Sequence, residues 1–323
     1  MTGHALTETL RHMALADGAY TVGFAPVERF DQLPKQCGPK PQDVFPGART
    51  VVALVIRMPD ACIERAAVHD YNDPEAGAVN VMGSLRANII AARLSRQLNR
   101  AGYAAFPISA TIMWRYRPYK EYETPFQADL SHRHMAVGAG LGEFGWNGLF
   151  MAPEIGPRCR LASVVTDAPL IPTPMYAGDP LCDRCMRCVR SCGEHLQCLT
   201  KDVSGKVSIV LGGKRFEYAN KNLWRCAWTE NFAIRDDAPK PAALNESTMT
   251  EVFHDLYVHD HLDRYQSWTV EPCWGECLPP SHRTLEPQFC DVPKRRKVRT
   301  SDLGRIREDA VALSKKRFAH AEI

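Results

Sequence analysis

A run of four closely spaced cysteines constrains this chain more than any other feature of its sequence. The segment CDRCMRCVRSC places Cys182, Cys185, Cys188 and Cys192 at the spacing Cys-x2-Cys-x2-Cys-x3-Cys. In two-cluster iron–sulfur proteins with this spacing, three thiolates of one tight loop ligate one cubane and the fourth ligates the other cluster. Zinc sites usually show two separated Cys-x2-Cys pairs, so the spacing favours a [4Fe–4S] centre.

Five more cysteines follow the run and decide whether a second cluster can form. Two cubanes need eight thiolates, and the run together with Cys226, Cys273 and Cys277 supplies seven. The eighth ligand is then Cys198 or Cys290. The segment from Cys273 to Cys277 has the Cys-x3-Cys spacing that ends such a run, and two prolines follow shortly after it. We therefore expect two clusters, with the last ligand left open.

Composition limits the setting in which these thiols act. A hydrophobic fraction of 45% and a charged fraction of 24% are ordinary for a globular protein. No stretch approaches the roughly 20 apolar residues of a membrane helix, and the N-terminus lacks the basic start and apolar core of an export signal. We expect a cytoplasmic protein with no membrane contact, whose cysteines serve metal binding rather than disulfides. Cys37, Cys62 and Cys159 lie in apolar or strand segments and are expected to be ordinary buried thiols.

Hydrophobic periodicity predicts an α/β arrangement in the first half of the chain. Helices are predicted at 5–15, 85–101 (capped by Ser84), 132–139 and 301–318, and strands at 19–27, 50–57, 104–111 and 160–167. The segment 172–292 holds nine of the twelve cysteines and shows little helix or strand signal. We expect three parts: an α/β domain over 1–171, a metal-held module over 172–292, and a basic segment with a final helix over 293–323.

Two further motifs resemble those of a known family. The stretches SHRHMAVGAGLGEFGWNGLFM at 131–151 and GPRCRLASVVTDAPL at 156–170, followed by the cysteine run, resemble the corrinoid iron–sulfur reductases. That family includes the epoxyqueuosine reductases and the reductive dehalogenases. The resemblance implies an α+β fold, with a nitroreductase-like α/β corrinoid-binding domain followed by a ferredoxin-like module carrying two [4Fe–4S] clusters.

The resemblance also implies a cofactor and the residues that hold it. Cobalamin would bind base-off between the two parts, largely through backbone groups. Glycines suit such a contact because the missing side chains let the backbone approach a bulky ring. The residues expected at the corrinoid are Arg133, Gly140, Gly142, Gly145, Asn147 and Gly148.

The motifs lie closer to the dehalogenase branch than to the epoxyqueuosine reductases. The catalytic aspartate of the latter would fall at Phe126, which cannot donate a proton, and Asp129 is displaced from that position by three residues. Tyr116, Tyr119 or Tyr122 is instead a candidate proton donor, with Lys120 or Arg115 as a cationic neighbour that lowers the pKa of the phenol. The sequence does not select one of these residues.

Together these features predict a cobalamin-dependent reductase. An external donor, ferredoxin-like or flavodoxin-like, would reduce the clusters, and the corrinoid would act on a small organic substrate. Two alternatives remain open: a tRNA-modifying enzyme like epoxyqueuosine reductase, and an iron–sulfur electron carrier without a corrinoid. The net charge of +3 does not by itself indicate nucleic acid. The basic run at 294–299 is interpreted as a solvated tail, with an RNA or acidic-partner contact as the alternative.

Overall fold

The computed structural model describes residues 3–60, 62–63, 74–110, 128–196, 198–199, 205–223, 226 and 272–280. Several sequence predictions lie outside these residues. They concern Arg115, Tyr116, Tyr119, Lys120, Tyr122, Cys290, the basic run at 294–299 and the helix at 301–318.

A four-stranded antiparallel sheet forms the centre of the described structure. Its strands are β1 (Thr21–Pro26), β2 (Thr50–Arg57), β3 (Ala105–Ile108) and β6 (Cys159–Thr166), in the order β1-β2-β6-β3. The β2 sequence TVVALVIR is apolar on both faces, and seven of its eight residues are buried. Val51, Ala53 and Val55 contribute to one core, and Val52, Leu54 and Ile56 contribute to another on the opposite face.

Two helices cover one face of this sheet. They are α1 (Gly3–Ala16) and α3 (Pro74–Arg100), and they bury Leu10, Leu94 and Leu98 completely. The long helix begins before the sequence predicts. Ser84 lies inside it and donates to the carbonyl of Asn80 at 3.2 Å, so the prediction that it caps the helix is wrong. Residues 74–83 precede Ser84 in the same helix, which moves the N-terminus upstream by about three turns.

The other face carries the 131–151 motif segment and an unpredicted hairpin. Here lie α4 (His132–Gly138), the short hairpin of β4 (Glu143–Phe144) and β5 (Phe150–Met151), and a hairpin of β7 (Lys206–Leu211) and β8 (Lys214–Ala219). Gly212 and Gly213 join β7 to β8 with φ of 55° and 79°, a conformation that glycine adopts without strain. Two glycines between β-rich runs are the signal that could have predicted this hairpin.

The remaining described elements are short. A helical turn, α2 (Pro41–Val44), precedes β2, and the cysteine segments form α5 (Arg187–Leu196) and α6 (Pro272–Gly275). No helix in the described part of the chain is both long and apolar enough to cross a membrane.

Candidate iron–sulfur site

Four cysteines line a pocket of about 310 Å³ beside the start of α5. Cys182, Cys185 and Cys188 come from the first run, and Cys277 comes from the distant turn that follows α6. Cys185 is exposed and Cys188 is buried, so the group extends from the surface to the interior. We refer to these four residues as the outer tetrad.

The backbone of the first run is shaped to bring its thiols together. Arg184 and Met186, which flank Cys185, have φ of 56° and 59°. Non-glycine residues rarely adopt this left-handed conformation, and it costs about 1 to 3 kcal/mol per residue. Two such residues within one cysteine loop are typical of a functional clamp. The backbone N–H of Trp146 also donates to the Sγ of Cys182 at 3.3 Å, which ties the loop to the β4–β5 turn.

A second group of four cysteines lies on the inner side of α5. Cys192, Cys198, Cys226 and Cys273 pack with Trp146, Val189, Leu199 and Ala219 in one apolar cluster, which Cys182 and Cys188 of the outer tetrad also join. The backbone N–H of Cys198 donates to the Sγ of Cys192 at 3.2 Å. We refer to Cys192, Cys198, Cys226 and Cys273 as the inner tetrad. Cys198 therefore lies beside the other expected ligands, and Cys290 lies outside the described residues.

The electrostatic environments of the two tetrads differ. Burial, reinforced by the charges of Cys182 and Cys185, raises the pKa of the Cys188 thiol to about 11. In the inner tetrad, a hydrogen bond from the Cys198 thiol lowers the pKa of Cys192 to about 6, and the same interaction raises that of Cys198. Bound iron would deprotonate all of these thiols, because a metal-coordinated thiol loses its proton outright. No three described Cys, His, Asp or Glu side chains converge on a single ion position.

The turn that supplies Cys273 and Cys277 is anchored to the α/β part. The Trp274 indole N–H donates to the carbonyl of Pro157, and the Arg160 guanidinium lies 4.6 Å from the centre of the Trp274 ring. Arg158 is almost fully buried, binds Asp60 at 3.1 Å and reaches the carbonyl of Gly275 at 3.4 Å. The motif at 156–160 therefore fixes the later cysteines in place.

The four glycines of the 140–148 loop are packed against protein. A Cβ on Gly140 would meet the carbonyl oxygen of Pro174 at 1.9 Å, and one on Gly142 would meet that of Met151 at 1.9 Å. At Gly145 the nearest atom is Oδ1 of Asn147, at 2.7 Å. At Gly148 it is a nitrogen of Arg133, at 3.1 Å. Internal packing therefore accounts for these glycines, and their contact with a corrin ring stays a prediction.

Arg133 and Asn147 also make internal contacts. Arg133 donates to the carbonyl of Gly148 at 2.7 Å and lies over the Tyr218 ring at 5.4 Å. Asn147 is fully buried and donates to the carbonyl of Cys273 at 3.0 Å. Asp129 is half-buried and lies near His132. Burial lowers the pKa of the His132 imidazole, and the charge of Asp129 opposes this shift.

A buried polar network behind the loop escaped the sequence prediction. His134 is fully buried, and its ring nitrogens lie 2.6 Å from Oγ of Ser131 and 3.0 Å from the hydroxyl of Tyr218. The same hydroxyl lies 3.6 Å from Sγ of Cys37. Burial raises the pKa of the Tyr218 phenol above its ordinary value. The network joins α4 to β8, which are too far apart in the sequence for their contact to be predicted.

Known proteins with similar sequences are reductive dehalogenases. The tetrachloroethene reductive dehalogenase of Desulfitobacterium hafniense is 43% identical over 60 residues, which cover 18% of this chain and 11% of that protein. The enzyme of the same name from Sulfurospirillum multivorans is 42% identical over 59 residues, covering 18% and 12%. No family model matches the chain. The matched stretch thus spans about a tenth of these relatives.

A solved structure shares the fold over most of the chain. A reductive dehalogenase, whose structure suggests a mechanism for B12-dependent dehalogenation, superposes with a TM-score of 0.53 and 15% identity. The superposition covers 91% of this chain and 42% of that protein. The local sequence match and the shared fold make this chain similar to the reductive dehalogenases. In this chain the cysteine run and the 131–151 and 156–170 motifs contact one another around the two tetrads.

Proposed function

We propose that this chain is an oxidoreductase that carries two [4Fe–4S] clusters, one held by each tetrad. The outer cluster would be ligated by Cys182, Cys185, Cys188 and Cys277, and the inner one by Cys192, Cys198, Cys226 and Cys273. The single observation that supports this most is that Cys182, Cys185, Cys188 and Cys277 line one pocket, while Cys192, Cys198, Cys226 and Cys273 pack in the adjoining apolar cluster, to which Cys182 and Cys188 also belong. When bound, the clusters accept and release single electrons.

The position of the two groups suits electron transfer between them. Cys188 and Cys192 lie on α5 one turn apart, so the same helix supplies a ligand to each tetrad. Four residues of α-helix rise about 6 Å, which keeps the two clusters close. The outer tetrad reaches the surface at Cys185, whereas the two cysteines on α5, Cys188 and Cys192, are buried. Electrons would therefore enter at the outer cluster and pass inward.

Within this proposal, the acceptor is a cobalamin that reduces a small organic substrate, as in a reductive dehalogenase. This part rests on the family relationship. The described loop at 140–148 adds no structural support for a corrin cradle, because packing of protein atoms at the Cβ positions already accounts for its four glycines. The same observation favours a second candidate, an iron–sulfur electron carrier without a corrinoid.

One set of measurements tests both levels of the proposal. Anaerobically reconstituted protein should contain iron and sulfide in equal amounts, about eight of each. Cys277→Ser should remove about half of the iron, whereas Cys62→Ser, which changes a thiol outside both tetrads, should leave the content unchanged. Stoichiometric zinc with negligible sulfide would contradict the cluster assignment.

Cobalamin separates the two candidate functions. Mixing the cluster-loaded protein with cob(II)alamin should shift the visible spectrum and change the cobalt EPR hyperfine pattern if the ring binds base-off. Unchanged spectra, with both clusters intact, would leave the electron carrier as the function.

A further inference from the structure

The β7–β8 hairpin has two chemically different faces. Ile209, Leu211, Phe216 and Tyr218 are buried in the main core. The opposite face carries Lys206, Ser208, Val210, Arg215, Glu217 and Ala219, because paired residues and alternate positions of an antiparallel hairpin share a side. Arg215 is exposed, and the Lys206 side chain is 30% exposed. The outward face therefore presents two cations, Lys206 and Arg215, against one carboxylate, Glu217.

This face is continuous with the loop of the outer tetrad. Glu217 accepts from Arg184 at 3.2 Å and from Lys206 at 2.7 Å, so one carboxylate joins the hairpin to the cysteine loop. Arg184 and Arg187 line the same pocket as Cys185. We call the surface formed by Arg184, Arg187, Lys206 and Arg215 the basic face. Two of its members, Arg184 and Arg187, line the pocket of the outer tetrad, and Glu217 links Arg184 to Lys206.

The charge of this region differs from that of the chain as a whole. The segments 181–192, 205–223 and 272–280 contain seven Lys and Arg side chains against three Asp and Glu side chains. The whole chain is nearly balanced, with 40 against 37. Of the three acidic residues, Glu217 is already paired with two cations, which leaves Asp183 and Glu276 beside the pocket. A net positive field of this kind attracts an acidic partner and speeds its association.

We propose that the basic face is the docking surface for a small, acidic iron–sulfur electron-carrier protein. This inference rests on the two-cluster function proposed above. A cationic surface alone would also suit RNA, but here the exposed thiol of the outer tetrad lies in the pocket that two of its arginines line, which favours an electron donor. The step is a single outer-sphere transfer. The reduced carrier loses one electron, the outer cluster gains it, and no bond or proton moves.

Charge reversal on the hairpin tests the surface without touching the pocket. In the double variant Lys206→Glu/Arg215→Glu, the second-order rate of cluster reduction by a photoreduced, acidic [2Fe–2S] ferredoxin should fall at least about tenfold at low ionic strength. The deficit should shrink as salt is raised to about 0.15 M, because screening removes the long-range attraction. Reduction by the methyl viologen radical, which is small and cationic, should not slow.

A matched control carries the same change of charge on the other side of the sheet. Arg96 and Arg100 are exposed on α3, which packs on the core opposite to that of the hairpin. Arg96→Glu/Arg100→Glu should leave the ferredoxin rate close to that of the wild type. Equal losses in both double variants, or no loss in either, would overturn the inference while the clusters remain.

Two other outcomes also count against the surface. In the first, the wild type is retained on an RNA column and only K206E/R215E abolishes the retention. If that variant also kept the wild-type ferredoxin rate, the basic face would be assigned to nucleic acid. Protein without cluster absorbance after reconstitution would overturn the two-cluster function itself and the docking surface with it.

Discussion

The side-chain amide of Asn147 donates to the carbonyl oxygen of Cys273 across 3.0 Å and joins the glycine loop to the later cysteine turn. The other end of the same amide accepts from the backbone N–H of Leu149 at 3.1 Å. Asn147 is fully buried, so both contacts are shielded from water. The motif at 140–148 thus positions Cys273, which the proposed inner cluster would use as a ligand.

Asn147→Ala should destabilise the inner cluster more than the outer one. The substitution removes the amide and leaves the carbonyl of Cys273 without this donor in a buried setting, which costs about 1 to 3 kcal/mol. Iron analysis and EPR after reconstitution should show partial loss of iron, confined to one of two cluster signals. Asn99→Ala, at an exposed position near the end of α3, is the matched control. Equal loss of both signals would show that Asn147 supports the fold generally.

Trp146→Phe should lower the reduction potential of the outer cluster. The Trp146 indole N–H is buried and has no hydrogen-bond partner among the described residues, yet the ring lines the outer pocket. A donor beside a cluster sulfur stabilises the more negative, reduced state and so raises the potential. Its removal should lower the midpoint by roughly 30 to 60 mV, where 59 mV is a tenfold change for one electron.

Trp274→Phe is the control for that redox titration. Its indole N–H is equally buried but already donates to the carbonyl of Pro157. The potential should therefore stay within a few millivolts of the wild type, although the protein should be less stable. An unchanged potential in the Trp146 variant would show that its N–H does not reach a cluster.

The sequence predicted the gathering of the first-run cysteines better than the architecture around them. The residues of the Cys182–Cys192 run are close in sequence, so their spacing can be interpreted without knowledge of the fold. The strand at 50–57 was equally readable, because its apolar run has the length of a buried strand. Cys198 could not be chosen over Cys290 from spacing alone, since the choice depends on the folding of the chain that separates them.

Other features of the structure could not be predicted from the sequence, for a different physical reason. The glycines at 140–148 predict backbone exposure to a ligand, yet the same absence of a side chain also permits close packing of two backbone segments. Only the structure reveals which neighbour is present. The His134–Tyr218 contact joins residues 84 positions apart, and no periodicity in the sequence links them.

Gly142→Ala should destabilise the β4–β5 hairpin severely. The new Cβ would stand 1.9 Å from the backbone carbonyl oxygen of Met151, which cannot rotate away as a flexible side chain could. Chemical denaturation should show a loss larger than that of Gly102→Ala. Gly102 has φ of 89° and open space around it, so its variant reports only backbone strain of about 1 kcal/mol. Similar losses in the two variants would mean that the hairpin relaxes around the methyl group.

The free energy of unfolding should fall as the pH drops below about 6.5, and His134 should contribute to that fall. Burial, followed by the positive charge of Arg133, holds the pKa of His134 well below 6.5. The folded protein therefore keeps the ring neutral, while the unfolded chain binds a proton below its ordinary pKa of about 6.5. The stabilisation is complete above that pH and is lost as the pH falls, by up to about 1.4 kcal/mol per pH unit for one proton.

Urea unfolding followed by circular dichroism at pH 7.5, 6.5 and 5.5 measures this slope. His134→Asn cannot titrate in this range, so its unfolding free energy should fall less steeply with acid than that of the wild type, even though the variant is less stable at pH 7.5. Some slope should remain, because burial also lowers the pKa of His132. His12→Asn changes an exposed imidazole on α1 and should keep the wild-type slope. A slope in His134→Asn as steep as that of the wild type would show that the buried imidazole is not the group that links acid to unfolding.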